Sequence, residues 1–333
     1  MATLSSTGAA AVFEGRKYHE TTAAYALPND NLEHQRLEQQ HELLSGLMGG
    51  KLVHAPISHS IANALDIGCG TGAATHTIAS AYPSTKVYGI DLSPVPEHLR
   101  TRLPNLGYIQ GDFNAIVEKK PPDPRFLLGS YDYLFSRLLT YGITDWQAYV
   151  DRTAALAKPG AWIEMQEADY HWYRAPLPTS PAAPPETFTA HDLPLSDPDG
   201  LSHPSQAYRT MPFWSLMLGS LLAAKSLNPF AGSKIASHML KAGLTDIRIR
   251  RYVSPTGVWP GLSPEAAAFG RYVNKHSPVT YGPVMRKLGR ETGHNEKEVE
   301  EGVKDVEREF SGPNGSRMWF WIYVICGRKP PAT

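Results

Sequence analysis

One stretch constrains this chain more than any other: Ala64-Leu65-Asp66-Ile67-Gly68-Cys69-Gly70-Thr71-Gly72. Ala64, Leu65 and Ile67 read as a buried strand. Three glycines in the next five positions end that strand in a tight turn, and a helix over 73–81 follows. Glycines here let backbone N–H groups approach a ligand with no side chain in the way. A second strand, Lys86 to Ile90, ends in Asp91, nineteen residues after Gly72. A βαβ unit places a carboxylate at about that point to take a ribose diol.

Asp66 separates the possible ligands. A dinucleotide site would bring a pyrophosphate to the turn, and a carboxylate at the strand end would repel it. A cationic amino-acid ligand is favoured there instead, and S-adenosyl-L-methionine carries both an ammonium and a sulfonium. The D-x-G-x-G-x-G pattern from Asp66 to Gly72 resembles motif I of class I S-adenosylmethionine-dependent methyltransferases.

The 333 residues suffice for one large domain with insertions or two modest ones, and 42% are hydrophobic. Lys+Arg and Asp+Glu both number 32, a balance that argues against a polyanion-binding surface and hence against a nucleic-acid partner. The one dense basic run, Arg248-Ile249-Arg250-Arg251, alternates as a solvated strand face does. Two cysteines, Cys69 and Cys326, make neither a disulfide framework nor a metal-ligand spacing, and no metal is expected. No secretory leader and no apolar run of membrane-spanning length is evident. The expectation is a cytoplasmic protein without a membrane partner.

Organisation follows from the rhythm of the elements. Residues 1–20 read as disordered. Residues 21–50 form an N-terminal helical unit, with Asp30 and Glu33 as a capping-box pair and Gly49-Gly50 as the stop. The polar residues Arg36, Gln40 and His41 on that helix fit either a solvent face or a lid over a cleft. A core over 51–173 alternates strand and helix: third strand at 108–110, fourth at 131–135, a helix from Asp145 with Thr144 and Gln147 as its capping pair, fifth strand at 161–166. That alternation argues a doubly wound parallel sheet. An insertion over 174–230 interrupts it, the core resumes over 231–253 with a sixth strand, and a second insertion over 254–316 carries helices near 263–276, 280–292 and 296–310. The last strand and tail occupy 317–333. Both insertions follow strand ends at the ligand edge of such a sheet, where they would shape a substrate pocket.

Several further runs are similar to LaeA-like fungal methyltransferases: Tyr25 to His41, Gly49 to Leu52, Gly89 to Pro94, Ser136 to Leu139, Asp145-Trp146, Lys158 to Gly160, Glu164 to Glu167 and Gly327 to Pro330. The turn itself reads Gly-Cys-Gly-Thr-Gly where family members often have Gly-Thr-Gly-Thr-Gly. The resemblance implies a Rossmann-like, seven-stranded class I methyltransferase sheet with bound S-adenosyl-L-methionine. It also implies a small-molecule methyl acceptor in secondary metabolism, or a regulatory role. A third expectation keeps the cofactor but uses its charge to promote a rearrangement without methyl transfer.

The expected cofactor residues are Asp66, Gly68, Cys69, Gly70 and Gly72 of the turn, with Asp91 and Leu92 at the ribose. By resemblance, Gly111, Asp112 and Phe113 sit at the adenine, with Asp112 on its amino group. Ser136, Arg137, Tyr25 and Arg36 belong to the amino-acid end, where either Arg36 or Arg137 would meet the carboxylate. For a base at the acceptor, His171 ranks first, just past strand five, followed by His41 and Glu167. Tyr25, Trp172, Trp214, Trp259 and Trp319 are candidate aromatic walls for the sulfonium.

Overall fold

The computed structural model describes residues 11–13, 15–18, 25–100, 102–120, 122–174, 191–312 and 315–332. A short hairpin, β1 (Ala11–Phe13) and β2 (Arg16–Tyr18), precedes α1 (Asn31–Leu47). The core then runs β3 (Asn63–Ile67), α2 (Ala73–Ala81), β4 (Lys86–Asp91), β5 (Leu106–Gln110), α3 (Phe113–Glu118), β6 (Tyr131–Arg137), α4 (Trp146–Leu156) and β7 (Ala157–Arg174). Next come β8 (His191–Leu193), β9 (Arg209–Thr210), α5 (Phe213–Ala224), α6 (Ile235–Lys241) and β10 (Thr245–Gly257). The chain closes with α7 (Pro264–Thr292), α8 (Glu296–Phe310) and β11 (Gly315–Arg328).

The sheet order is β5-β4-β3-β6-β7-β11-β10-β8, with β9 paired to β7. Strands β5, β4, β3, β6 and β7 are parallel, and β11 enters antiparallel between β7 and β10. The order reverses at β3, whose neighbours are β4 and β6, and this opens the crevice at the strands' carboxyl ends. One face of the sheet packs under α1, α5, α7 and α8, around Leu44, Trp214, Val284 and Val303. The other packs under α3, α4 and α6, around Phe113, Val150, Ile235 and Met239.

The seven strands expected from the resemblance are present, and two short ones join them. β8, inside the first insertion, extends the edge at β10, and β9 adds to β7. Part of that insertion, 175–190, lies outside the described residues, as do residues 1–10 of the segment read as disordered. Residues 11–13 and 16–18 depart from that reading. They form a hairpin held by Arg16, which donates to both carboxylate oxygens of Asp30 (2.6 and 3.1 Å).

Three further departures have local causes. The helices expected at 263–276 and 280–292 are one continuous α7 that passes through Pro278 and Pro283. Packing on α1, α5, α8 and β10 outweighs the lost backbone bonds. The cap of α4 is Asp145, which accepts from the Ala148 amide at 2.9 Å, and not Thr144. The basic run on β10 is solvated at Arg248 and Arg250, whereas Arg251 is fully buried with its guanidinium 3.9 Å from the Trp321 ring centre.

Two glycines on helices predict opposite responses. A Cβ on Gly270 of α7 would stand 2.1 Å from the Gly257 carbonyl oxygen, a backbone atom with little room to yield. Gly270→Ala should therefore cost about 1–3 kcal/mol. Gly219 of α5 faces open space, so Gly219→Ala should stabilise by about 0.5–1 kcal/mol through helix propensity. Urea unfolding of the two variants beside the parent checks both signs.

Candidate functional site

The turn after β3 is locked to β4 by backbone bonds. The amides of Gly68 and Cys69 both donate to the Ile90 carbonyl (2.8 and 3.0 Å). Gly68, Gly70 and Gly72 all hold positive φ (72°, 54° and 85°), which a side chain would strain. The Asp91 carboxylate accepts from the Gly70 amide and the Ser93 amide, each at 2.9 Å, so it is fixed against the turn. Asp66 lies beneath the turn, 2% exposed, and accepts from Thr75 Oγ1 at 2.6 Å. Burial pushes its carboxyl up to about 6, although the Thr75 hydroxyl and the Arg137 charge pull the other way.

Arg137 ends β6 opposite Asp66. It is partly buried, and among the described residues no carboxylate lies within ion-pair distance. One nitrogen, Nη2, donates to His41 Nδ1 at 2.8 Å, while Nη1 is buried with no partner. Desolvation brings the guanidinium down to about 10 despite the pull of Asp66. His41 is held neutral, at about 4, by burial and by the same guanidinium. Because its Nδ1 accepts, its Nε2 carries the proton and donates to Thr77 Oγ1 at 3.2 Å.

Arg36 is occupied differently. Its Nε and Nη2 donate to the two Glu33 oxygens (2.9 and 2.6 Å), and Nη1 donates to Tyr272 Oη at 2.7 Å. Between the two arginines expected at the ligand's carboxylate, Arg36 is therefore committed to pinning α1 onto α7, and Arg137 is the one with a nitrogen to offer.

A cavity opens between the turn, α1, the ends of β6 and β7, and α7. Of the residues expected to hold a cofactor, Tyr25, Arg36, Asp66, Gly68, Cys69, Gly70, Asp91 and Arg137 line it. Residues Gln40 and His41 line it as well, so α1 covers the cleft as a lid does. Gly72, Leu92, Gly111, Asp112, Phe113 and Ser136 are not in its wall. Gly72 abuts Tyr108, Ser136 points to the opposite face of β6 from Phe135 and Arg137, and Phe113 packs into the core against Phe126 and Tyr149. Asp112 caps α3 by accepting from the Asn114 amide at 2.9 Å. Its neighbour Gly111 donates to the Asp91 carbonyl at 2.8 Å, so this segment adjoins the ribose end without entering the cavity.

The base candidates fare less well. Strand alternation turns Ala168 and Tyr170 into the cavity and His171 away from it. His171 bonds to the Asp169 carboxylate and stacks on Phe230, ring centres 4.1 Å apart. Glu167 is buried outside the cavity wall, where it accepts from the Leu139 amide (2.7 Å) and Thr140 Oγ1 (2.9 Å). Burial raises its carboxyl to about 8. Among the aromatic candidates only Tyr25 lines the cavity. Trp172 and Trp214 pack on each other, and Trp319 stacks on Tyr173. Trp259 is buried in the core on the other face of the sheet. Sequence reasoning missed the α7 wall, which supplies Phe269, Tyr272, Val273, His276, Ser277, Thr280 and Tyr281. Aromatic residues at helical spacing in 269–281 were the available signal. Among the described residues no cluster of His, Cys, Asp and Glu fits a metal ion.

Comparison with known proteins gives methyltransferases and a regulator of secondary metabolism. A family model described as a methyltransferase domain matches residues 65–163. The secondary metabolism regulator laeA of Coprinopsis cinerea is 32% identical over 49% of this chain and 41% of its own length. Methyltransferase pytC of Aspergillus terreus is 27% identical over 74% of this chain and 65% of its own length. Methyltransferase grgD of a Penicillium species is 34% identical over 47% of this chain and 56% of its own length. The chain thus spans less than two thirds of the length of these curated relatives.

The residues present fit S-adenosyl-L-methionine. The partnerless Arg137 Nη1 suits its carboxylate, buried Asp66 suits its ammonium, and Asp91 stands at the turn for the ribose.

The unliganded fold carries Asp66 at a cost, and its pH dependence has a definite sign. The folded carboxyl, at about 6, titrates above the ordinary value of 3.8. The unfolded chain therefore gives up the proton first as pH rises, and stability falls between about pH 4 and 6. Asp66→Asn should remove this loss and stabilise the unliganded protein at pH 7.5 by about 3 kcal/mol, with little difference at pH 4. Urea unfolding of both proteins at the two pH values checks it.

Proposed function

We propose that this chain, similar to LaeA-like methyltransferases, binds S-adenosyl-L-methionine at the β3–α2 turn and methylates a small molecule in a secondary-metabolite pathway. Arg137 is the observation that carries this reading: a partly buried guanidinium whose buried Nη1 is unused, set across from the buried carboxyl of Asp66. When bound, the cofactor supplies an electrophilic methyl group on a sulfonium. Arg137 holds the carboxylate and Asp66 the ammonium, so the two buried charges of the site are satisfied together. Asp91 accepts the ribose hydroxyls in an orientation set by Gly70 and Ser93. Residues of α1 and α7 close over the cleft and exclude water, which puts donor and acceptor in a near-attack arrangement. Among the described residues no helix is long and apolar enough to cross a membrane. With charge balanced over the chain, a small acceptor in the cytoplasm is the reading best supported, ahead of a nucleic acid or a lipid surface.

The likeness to laeA supports a second reading, in which a cofactor-loaded fold serves regulation. Both readings need the cofactor site, and only the first needs turnover.

Calorimetry with S-adenosylhomocysteine tests the site. Micromolar affinity, about −8 kcal/mol, is expected. Arg137→Met keeps the apolar stem and removes the charge. It should weaken binding about 10- to 100-fold while raising the melting temperature of the unliganded protein, because a desolvated cation is gone. A folded parent protein that binds no S-adenosylhomocysteine would sink the proposal. Products formed from labelled cofactor, scored separately for methylation and isomerisation, then divide the two readings.

A further inference from the structure

The far wall of the cavity has a chemistry of its own, and what it implies rests on the cofactor site proposed above. Away from Asp66 and Asp91 the wall is built from Tyr141, Tyr170, Phe269, Tyr272, Tyr281 and Phe320. Five of these rings pair with another of the set, with centres 5.9 Å apart for Tyr141–Tyr170, 5.1 Å for Tyr170–Phe320 and 5.7 Å for Phe269–Tyr272. Burial keeps the phenols protonated, with Tyr170 and Tyr272 both raised to about 12. No carboxylate and no lysine lines this part. Its one cation, Arg36, is neutralised by Glu33 and donates to the Tyr272 hydroxyl.

These facts exclude two kinds of acceptor. A carboxylate or phosphate would be desolvated without an uncommitted cation to meet it. An ammonium would be desolvated with no carboxylate to meet it, in a cavity that already holds the cations Arg36 and Arg137. A flat, apolar, uncharged molecule loses nothing on entering and gains ring contacts.

His276 supplies the polar contact. It sits on α7 in the cavity wall, its ring 4.6 Å from that of Tyr272. Its Nε2 bonds to Gln39 Oε1 of α1 at 3.2 Å. That bond places the proton on Nε2 and leaves a lone pair on Nδ1, which has no partner among the described residues. Burial, aided by Arg36 and Lys275, holds the ring neutral, at about 4. His41 offers no such lone pair, since Arg137 and Thr77 occupy both of its nitrogens.

We propose that the acceptor is a neutral, flat, largely apolar compound of the phenol or enol type, seated among these rings with its hydroxyl donated to His276 Nδ1. The O–CH3 bond forms as the S–CH3 bond breaks, and the sulfonium becomes a thioether. The hydroxyl proton passes to His276 Nδ1 and from there to water. A weakly basic imidazole suffices, because the hydroxyl becomes strongly acidic as its oxygen gains the methyl group.

Four naphthalenes titrated into the full-length protein loaded with S-adenosylhomocysteine test this: 2-naphthol, 2-methoxynaphthalene, 2-naphthoate and 2-naphthylmethylamine. Loading is measured separately, so failure of the cofactor site is seen as such. The naphthol should bind at least about 10-fold more tightly than the anion or the cation. His276→Ala should weaken naphthol about 5- to 20-fold and leave the methyl ether within about 2-fold, since only naphthol has a proton to donate. His276→Gln, which restores an acceptor oxygen, should recover part of that affinity but not transfer of labelled methyl to naphthol. The proposal is overturned if the loaded protein binds none of the four. It is equally overturned if the anion or cation matches naphthol, or if His276→Ala weakens naphthol and its ether alike.

Discussion

A single desolvated charge governs the arrangement of this molecule. Arg137 ends a central parallel strand, partly buried in the cavity wall with its Nη1 shut off from solvent, and desolvating a guanidinium without a carboxylate is costly. Asp66 offsets part of that cost across the cleft, and His41 offers its lone pair. The second contact is possible only because His41 is uncharged, so burial of α1 and the chemistry of Arg137 depend on each other. Thr77 fixes the far side of the imidazole. Glu33, Arg36 and Tyr272 then tie the same helix to α7. The contacts that hold α1 over the cleft thus run through this cation, whose Nη1 is left without a partner among the described residues.

The two buried glutamates of β7 do related work for the backbone. Glu164 accepts from the amides of His54 and Ala55 (both 2.8 Å), from Tyr133 Oη (3.0 Å) and from Gln166 Nε2 (2.7 Å), and so anchors the segment between α1 and β3. Glu167 grips the loop after Arg137. That loop begins with Leu138 at a φ of 56°, a conformation costing about 1–3 kcal/mol for a residue with a side chain. Bonds from the Leu139 amide and Thr140 hydroxyl to one carboxylate hold the strained turn, and the turn sets where Arg137 points. Glu167 has the raised carboxyl of a catalytic acid, but the cause is structural burial.

This difference explains what the sequence made legible. The donor side was readable because its parts are local. A strand end, a glycine turn and a carboxylate one βαβ unit later have a fixed spacing, and Asp66, Gly68, Gly70 and Asp91 fall where that spacing puts them. Arg137 was readable as one of two arginines. Only the three-dimensional pairing of Arg36 with Glu33, one turn away on α1, and with Tyr272, 236 residues on, separates them. His171 misled for a reason of period: it lies on the right strand near the right edge, within a β7 that runs on to Arg174, but one residue off the face that lines the cleft. The continuous α7 was hidden because Pro278 and Pro283 break helices locally, and the packing that overrides them is distant in sequence.

Donor and acceptor ends of the cavity thus come from different kinds of structure. The donor end is backbone and strand termini, whose positions follow from sheet geometry. The acceptor end is side chains from α1, β7, β11 and α7, brought together only by tertiary packing. The matched methyltransferase domain, residues 65–163, contains Asp66, Asp91 and Arg137 but none of Tyr170, Tyr272 or His276. Similarity over that span speaks to the cofactor and is silent on the acceptor. In the proposed reading selectivity rests on α7, a helix that crosses to α1 through Arg36–Tyr272 and Gln39–His276. Under that reading a change on this helix face alters the acceptor end while every group around Arg137 stays in place.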